Sequence, residues 1–232
     1  MLTLALDTAT KVCTVALVRD GAILAEYDIS VGLTHSEGLM PQIDQMFRRT
    51  GLAKEAVDRV AVSIGPGSFT GLRIGLAAAQ AMAYAWDCGL CGVNTLDGLA
   101  WNVPVPGVVL APVLDAQKGN VYTAFYEWEA GTPRRRTDVV MLSAGECMAR
   151  LAALDRPVLL LGECERLLRR VAPAANVFVA APQLRLPHAA SVGLAGEGED
   201  ALTGAARFGL KPFYFRKSEA EELWDKKHPA DA

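Results

Sequence analysis

Histidine is scarce in this chain. Its 232 residues include three, His35, His188 and His228, and no two of them stand at a spacing that holds a metal on one local element. No metal site is therefore expected. Cysteine is sparse as well: there are five. An odd count without a secretory context points to reduced thiols and a cytoplasmic protein. Cys88-Gly89-Leu90-Cys91 lacks the second cysteine pair of a zinc site. It also ends a helical stretch and opens a strand-like one, the reverse of a thioredoxin motif. No long hydrophobic run is present. The most apolar stretch, Ile74–Trp86, is short for a membrane span and contains Gln80, so no membrane partner is expected. Met1–Asp7 has no basic n-region, and no secretory leader is expected. An excess of positive charge is missing too. The net charge is −3, which excludes a global basic field for holding nucleic acid.

What is present is an ordinary globular composition, 51% hydrophobic and 21% charged. Leu2–Leu6, Thr14–Arg19 and Ile23–Ile29 read as strands, with Asp20-Gly21 as a hairpin turn between the last two. Ser36–Thr50 reads as a helix with Leu39, Met40, Ile43, Met46 and Phe47 on one face and Gly51 as its stop. Pro41 fits only if it lies in the first turn. Asp58–Ile64 reads as a strand, Thr70–Trp86 as a helix, Leu90–Val93 as a strand and Leu96–Trp101 as a short helix. Val103-Pro104-Val105-Pro106-Gly107 resembles a crossing between domains. Beyond it the pattern restarts. Val108–Leu114, Val121–Trp128 and Val158–Leu161 read as strands, Ala144–Leu154 and His188–Ala206 as helices. The arginines of Thr132–Arg136 read as solvated charge at a hairpin tip. The expectation is two α/β lobes, residues 1–103 and 104–232.

The stretch GPGSFTGLRIG, residues 65–75, follows a strand and opens a helix. It fails the Walker spacing, because Thr70 or Leu72 falls where the second glycine should be and no lysine follows. It fails the dinucleotide fingerprint by one residue, with Gly71 in place of a glycine at 70. It fails the nucleophile-elbow spacing because Gly67 directly precedes Ser68. An anion site at the helix start and a tight packing turn both stay open. The helix itself has one narrow polar strip, Arg73 and Gln80. Gly71, Gly75, Ala78, Ala79 and Met82 make a smooth face. A helix apolar nearly all round needs cover on two sides. A partner chain is one candidate for the second cover, with the Leu39/Ile43/Met46 helix sharing that surface. Asp7-Thr8-Ala9-Thr10 ends the first strand. Sugar kinases, actin and the Hsp70 chaperones carry a similar Asp-x-Gly-Thr there, with Ala9 standing here in the glycine position.

LALDTAT at the start, THSEGLMPQID at 34–44, SIGPGSFTGLRIGLAAAQAMA at 63–83 and GVNTLDGLA at 92–100 together resemble the bacterial TsaB (YeaZ) family. The resemblance covers the first hundred residues. In the second half it rests on layout and on Pro212–Arg216, which is similar to that family's closing strand. It implies an actin-like/Hsp70-like (ribonuclease H-like) fold of two α/β lobes with a degenerate nucleotide site at Asp7, Thr8, Thr10 and Asp115. It implies a non-catalytic subunit, without cofactor, for threonylcarbamoylation of N6 of adenosine 37 in tRNA. The implied partners are TsaD, as a heterodimer, and TsaE through the TsaB–TsaD complex. A homodimer is implied when the chain is alone, and tRNA contact only through the complex. The implied interface residues are Leu39, Ile43, Met46, Gly71, Arg73, Gly75, Ala78, Ala79 and Met82. The paralogue TsaD carries Val-Asn-His-x-Glu-Gly-His, whose histidines hold its metal. Here the stretch is Val93-Asn94-Thr95-Leu96-Asp97-Gly98-Leu99. Thr95 and Leu99 stand where the imidazoles would be, and a hydroxyl and an alkyl group cannot replace them on a transition metal.

Two rival classes are weighed against this. A small kinase of the same fold would need ATP affinity and a general base, for which Asp7 and Asp115 are the candidates. Strand-end capping accounts for both. A peptidase would need a nucleophile with a paired base, and no Ser/His/Asp spacing supplies one.

Overall fold

The computed structural model describes residues 1–30 and 35–215. Three antiparallel strands open the chain: β1 (Leu2–Asp7), β2 (Cys13–Arg19) and β3 (Ala22–Ile29). The turn between the last two is Asp20-Gly21, with φ of 49° and 79°. Two left-handed residues in succession are what a two-residue type I′ turn requires. Helix α1 (His35–Thr50) follows, then β4 (Arg59–Gly65), α2 (Phe69–Ala85), β5 (Gly89–Asn94) and α3 (Thr95–Trp101). β4 and β5 join in parallel, giving a five-stranded sheet in the order β3-β2-β1-β4-β5.

The chain then crosses to a second sheet. It contains β6 (Val109–Asp115), β7 (Asn120–Thr123), β8 (Tyr126–Glu129), β9 (Thr132–Arg135) and β10 (Val140–Ser143). Helix α4 (Ala144–Ala152) leads to β11 (Val158–Gly162), α5 (Cys164–Leu168) and β12 (Val177–Val179). The main path is β10-β7-β6-β11-β12, with β8 pairing β6 and β9. A capping box starts α4: the Ser143 hydroxyl takes the Glu146 N–H, and the Glu146 carboxylate takes the Ser143 N–H. Finally α6 (Ala189–Gly196) returns to the first sheet.

Alternation in the first sheet explains why both of its faces are covered. Leu4, Leu6, Val15, Leu17, Val60 and Val62 share one core with α1 and α2. Ala5, Ala16 and Ala61 belong to the opposite core, with Ala189, Ala190 and Val192 of α6. Strand side chains alternate between faces, so the large residues meet two helices and the small ones let α6 lie close. Antiparallel β1–β3 followed by parallel β4 and β5, with a second such lobe behind, is the actin-like (ribonuclease H-like) architecture.

Several expectations differ from the structure. Pro41 lies inside α1 beyond its first turn. The expected strand Val121–Trp128 is broken into β7 and β8, which pair with different parts of β6. The hairpin tip is Ala130-Gly131, at φ 50° and 84°, and the arginines lie on or just after the returning strand. Arg135 Nε donates to Asp97 Oδ1 at 3.0 Å, and Arg136 pairs with Glu127 at 3.4 Å. Arg135 and Arg136 are thus ion-paired rather than merely solvated. Only residues 189–196 of His188–Ala206 form an α-helix, and a 3-10 turn occupies Gly204–Gly209. Residues 212–215 are not a strand; Phe213 N–H donates to Ile64 O at 2.7 Å as a strap. Thr34, Arg216, Glu219–Lys227 and His228 lie outside the described residues. No helix among those described is long and apolar enough to cross a membrane.

Candidate functional site

The end of β1 and the glycine turn after β4 press against each other. Ser68 N–H donates to Ala9 O at 2.7 Å. Thr8 Oγ1 donates to Gly71 O at 2.8 Å. A Cβ on Gly71 would sit 2.0 Å from Thr8 O, and one on Gly75 would sit 2.3 Å from Thr8 Oγ1. These two glycines let α2 ride directly on the β1–β2 loop. Of the two readings left open for the turn, close packing is thus plainly in use. Ser68 caps the helix, its hydroxyl accepting from Gly71 N–H at 3.3 Å.

Asp7 is 1% exposed. Its carboxylate accepts from Ala9 N–H at 2.8 Å and from the Ser63 hydroxyl. Burial pushes its pKa up to about 6; the Ser63 and Ala9 hydrogen bonds and the charge of His35 pull the other way. Its oxygens hold a loop and face no open space. Thr10 Oγ1 accepts from Val12 N–H at 3.2 Å, and Thr10 O lies 2.8 Å from His35 Nε2.

A cleft of about 750 Å³ lies between the lobes, lined by Thr10, Lys11, His35 and Ser68 on one side and Asp115, Glu163 and Arg166 on the other. Asp115 ends β6, as expected. It pairs with Arg166, and its carboxylate accepts from Gln117 N–H at 3.1 Å. Glu163 accepts from Asp115 N–H at 2.9 Å, and burial raises its carboxyl above the ordinary range. The chain's own strap shapes the mouth. Tyr214 stacks on Phe69 at 4.8 Å, and Phe215 lies 5.6 Å from Tyr122. Thr10 therefore lines one wall of the cleft and Asp115 the other, while Asp7 and Thr8 are buried behind the first wall.

The expected partner residues are placed differently. Leu39, Ile43, Met46, Gly71, Gly75, Ala79 and Met82 are all buried within this chain. Their pattern at helical spacing marks the lobe's own core, which corrects the expectation that their side chains face a partner. Ala78 is half-buried, and Arg73 is exposed but engaged. Its guanidinium lies 4.0 Å from the Phe69 ring centre, and its Nε donates to the Tyr214 hydroxyl at 2.9 Å. Gln80 donates to Arg207 O and Leu210 O at 3.1 Å each. The polar strip of α2 is thus covered by the chain's own C-terminal segment. The exposed remainder of α2 is Thr70, Ala77, Ala81, Tyr84 and Ala85.

Cys88 and Cys91 are buried, free thiols. Burial raises both, Cys91 to about 11, so neither offers a ready thiolate. One cluster escaped the sequence reading altogether. Glu26, Asp28 and His188 converge on the first sheet. The only local signal was the Glu-x-Asp spacing on a strand, which places both carboxylates on one face; the histidine comes from the far end of the chain.

Two lobes, a hinge cleft between their facing strand ends and a glycine turn pressed against the first strand's loop define an actin-like two-lobed protein. The family model described as "TsaD: tRNA N6-adenosine threonylcarbamoyltransferase" matches residues 30–169. The "tRNA threonylcarbamoyladenosine biosynthesis protein TsaB" of Bacillus subtilis (strain 168) is 29% identical over 227 residues, 97% of this chain and 98% of that protein. The protein of the same description from Escherichia coli (strain K12) is 36% identical over 127 residues, 53% of this chain and 54% of its own length. The solved structure "YeaZ from Pseudomonas aeruginosa" superposes with a TM-score of 0.77 at 27% identity, covering 92% of this chain and 99% of that one. The chain belongs to the tRNA N6-adenosine threonylcarbamoyltransferase family and, within it, to the TsaB (YeaZ) group. Its role lies in the biosynthesis of threonylcarbamoyladenosine in tRNA.

Proposed function

We propose that the chain is a non-catalytic subunit of a threonylcarbamoyl-transferring complex, which it serves by pairing with a TsaD-type subunit. TsaE joins through that pair, tRNA is met only in the complex, and the chain forms a homodimer when alone. One observation carries the reading. In α3, Thr95 and Leu99 are each 1% exposed, packed where the paralogue's metal-holding histidines are implied to stand. Asp97, between them, is taken by Arg135 and by the Tyr126 hydroxyl, which donates to it at 2.7 Å. The helix that would present a metal centre is instead a structural pin between the lobes. Asp7 and Asp115 are read as remnants of a nucleotide site, with their oxygens engaged in loop bonds and an ion pair.

The partner surface is assigned to the open side of α2. Ala77 and Ala81 are exposed there, with half-buried Ile74 and Ala78 beside them. This small-residue face lets another helix approach closely. The test is size-exclusion chromatography with light scattering on the chain alone and mixed with the matching TsaD. A homodimer that exchanges into a one-to-one heterodimer is expected. Ala77→Arg and Ala81→Arg, which add bulk to solvent-facing positions, should abolish the heterodimer and leave the unfolding free energy within about 0.5 kcal/mol of the parent. A heterodimer that survives both substitutions overturns the interface. The cleft keeps a nucleotide-using enzyme as the rival reading. Calorimetric titration with ATP and Mg²⁺ decides it: micromolar binding with turnover would replace the scaffold role.

A further inference from the structure

Glu26 and Asp28 lie on the edge strand β3, and His188 immediately precedes α6. None of the three lines the inter-lobe cleft. His188 Nε2 lies 2.9 Å from Gln183 O. A carbonyl only accepts, so this nitrogen carries the proton. In the neutral ring the other nitrogen, Nδ1, then presents a lone pair. It is buried, without a hydrogen-bond partner among the described residues. It faces Asp28 Oδ2 at 3.2 Å and Glu26 Oε2 at 3.6 Å. The ligand atoms of all three residues lie within 4.8 Å of one another, and electron-pair donors so close repel each other unless a cation lies among them.

The separations also suit a metal ion. A charge-assisted N–H···O bond settles at about 2.7–2.9 Å, and both distances are longer. Bonds of 2.0–2.2 Å in a tetrahedral shell put neighbouring donors roughly 3.3–3.6 Å apart, close to the two separations from His188 Nδ1. The donors are also held from behind, as metal ligands usually are. Gln183 O fixes the imidazole tautomer. Ala190 N–H donates to Glu26 Oε1 at 2.8 Å, which leaves Oε2 to the centre. Thr14, directly across from Asp28 on β2, accepts with its hydroxyl from Ala189 N–H at 3.1 Å.

We propose that Glu26, Asp28 and His188 form a binding site for a divalent transition-metal ion of the zinc class, with the remaining position left to water. One nitrogen and two carboxylate oxygens suit such an ion. The ion ties β3 to α6, and so fastens the C-terminal half of the chain to the first sheet.

The test uses the full chain, stripped with EDTA and dialysed against ZnCl₂, with bound zinc counted by mass spectrometry. One Zn²⁺ per chain is expected, with a raised thermal midpoint. His188→Gln and Asp28→Asn should each weaken binding at least about tenfold and lose the thermal shift. Circular dichroism and the midpoint in EDTA establish that the variants fold; Glu26→Gln replaces either one that does not. Co²⁺ serves as a second probe and should give the visible bands of a tetrahedral site without thiolate charge transfer. Absence of saturable binding means that a proton alone sits in the cluster and overturns the site. So does equal binding by the variants, or a thiolate band, which puts the ion on the cysteines.

Discussion

Asp7 shows how one residue can keep its place while changing its work. It ends β1 where a sugar kinase or actin holds a carboxylate, yet it is 1% exposed and bonded to Ala9 N–H and the Ser63 hydroxyl. Burial moves its pKa from 3.8 to about 6. A carboxyl whose folded pKa is raised binds its proton more tightly in the folded chain. Its contribution to stability is therefore full below about pH 4 and is lost as pH rises through about 6. The shift corresponds to roughly 3 kcal/mol. Asp7→Asn removes the titration and keeps an oxygen for Ala9 N–H. Urea unfolding at several pH values should show the variant gaining roughly 3 kcal/mol on the parent between pH 4 and pH 8. A difference that stays constant with pH would show that Asp7 ionises in the fold at its ordinary value. The outcome also bears on mechanism, because a carboxyl walled in by its own loop cannot reach a substrate in the cleft.

At the scale of the element, α2 carries both the most legible signal and the clearest misreading. Its extent, to within one residue at each end, and the glycine turn before it were readable from residue types alone, as were β1–β5 and the Asp20-Gly21 turn; its Ser68 cap was not. The short elements β10, α5 and β12 were not. Strands of three or four residues and a helix of five carry too few periods to register as a pattern. The misreading of Leu39, Ile43, Met46, Gly71, Gly75, Ala79 and Met82 as a partner surface has a different cause. Periodicity says that a face is buried and not what buries it. The structure separates the inward glycines from the outward alanines. Gly75→Ala drives a methyl group to within 2.3 Å of Thr8 Oγ1. The clash outweighs the gain of about 1 kcal/mol in helix propensity, for a net loss of roughly 1–3 kcal/mol. In a Thr8→Ala background the obstructing oxygen is gone and much of that loss should vanish. A double-mutant cycle by chemical denaturation reads the coupling. Additive effects would mean that α2 does not rest on the β1–β2 loop as described.

At the scale of the whole molecule, the first sheet is finished by residues from the far end of the chain. The face made by Ala5, Ala16 and Ala61 is covered by Ala189, Ala190 and Val192. The exposed edge of β5 is met by Leu202, which exchanges hydrogen bonds with Leu90 at 2.9 and 2.7 Å. Arg59 reaches Glu199 O at 2.9 Å, and Phe213 is tied to Ile64 O. None of this was legible in the sequence, because contacts between residues so far apart leave no local period. The distinction between residues 1–103 and 104–232 thus marks a change of sheet, and the two halves do not divide the buried surface between them. Residues 1–103 expressed alone would expose one apolar sheet face, and an open strand edge invites pairing between chains. That fragment should bind anilinonaphthalene sulfonate, lack a cooperative urea transition and aggregate, whereas the full chain unfolds in one step that includes the first sheet. A sharp transition from residues 1–103 alone would show that α6 and the strap only decorate an independent lobe. Failure of the fragment would tie partner binding by α2 to the integrity of the chain's C-terminal end, since Arg73 and Gln80 are held from there. Loosening the strap with Tyr214→Ala should then weaken pairing with a TsaD-type subunit without touching the small-residue face proposed to meet it.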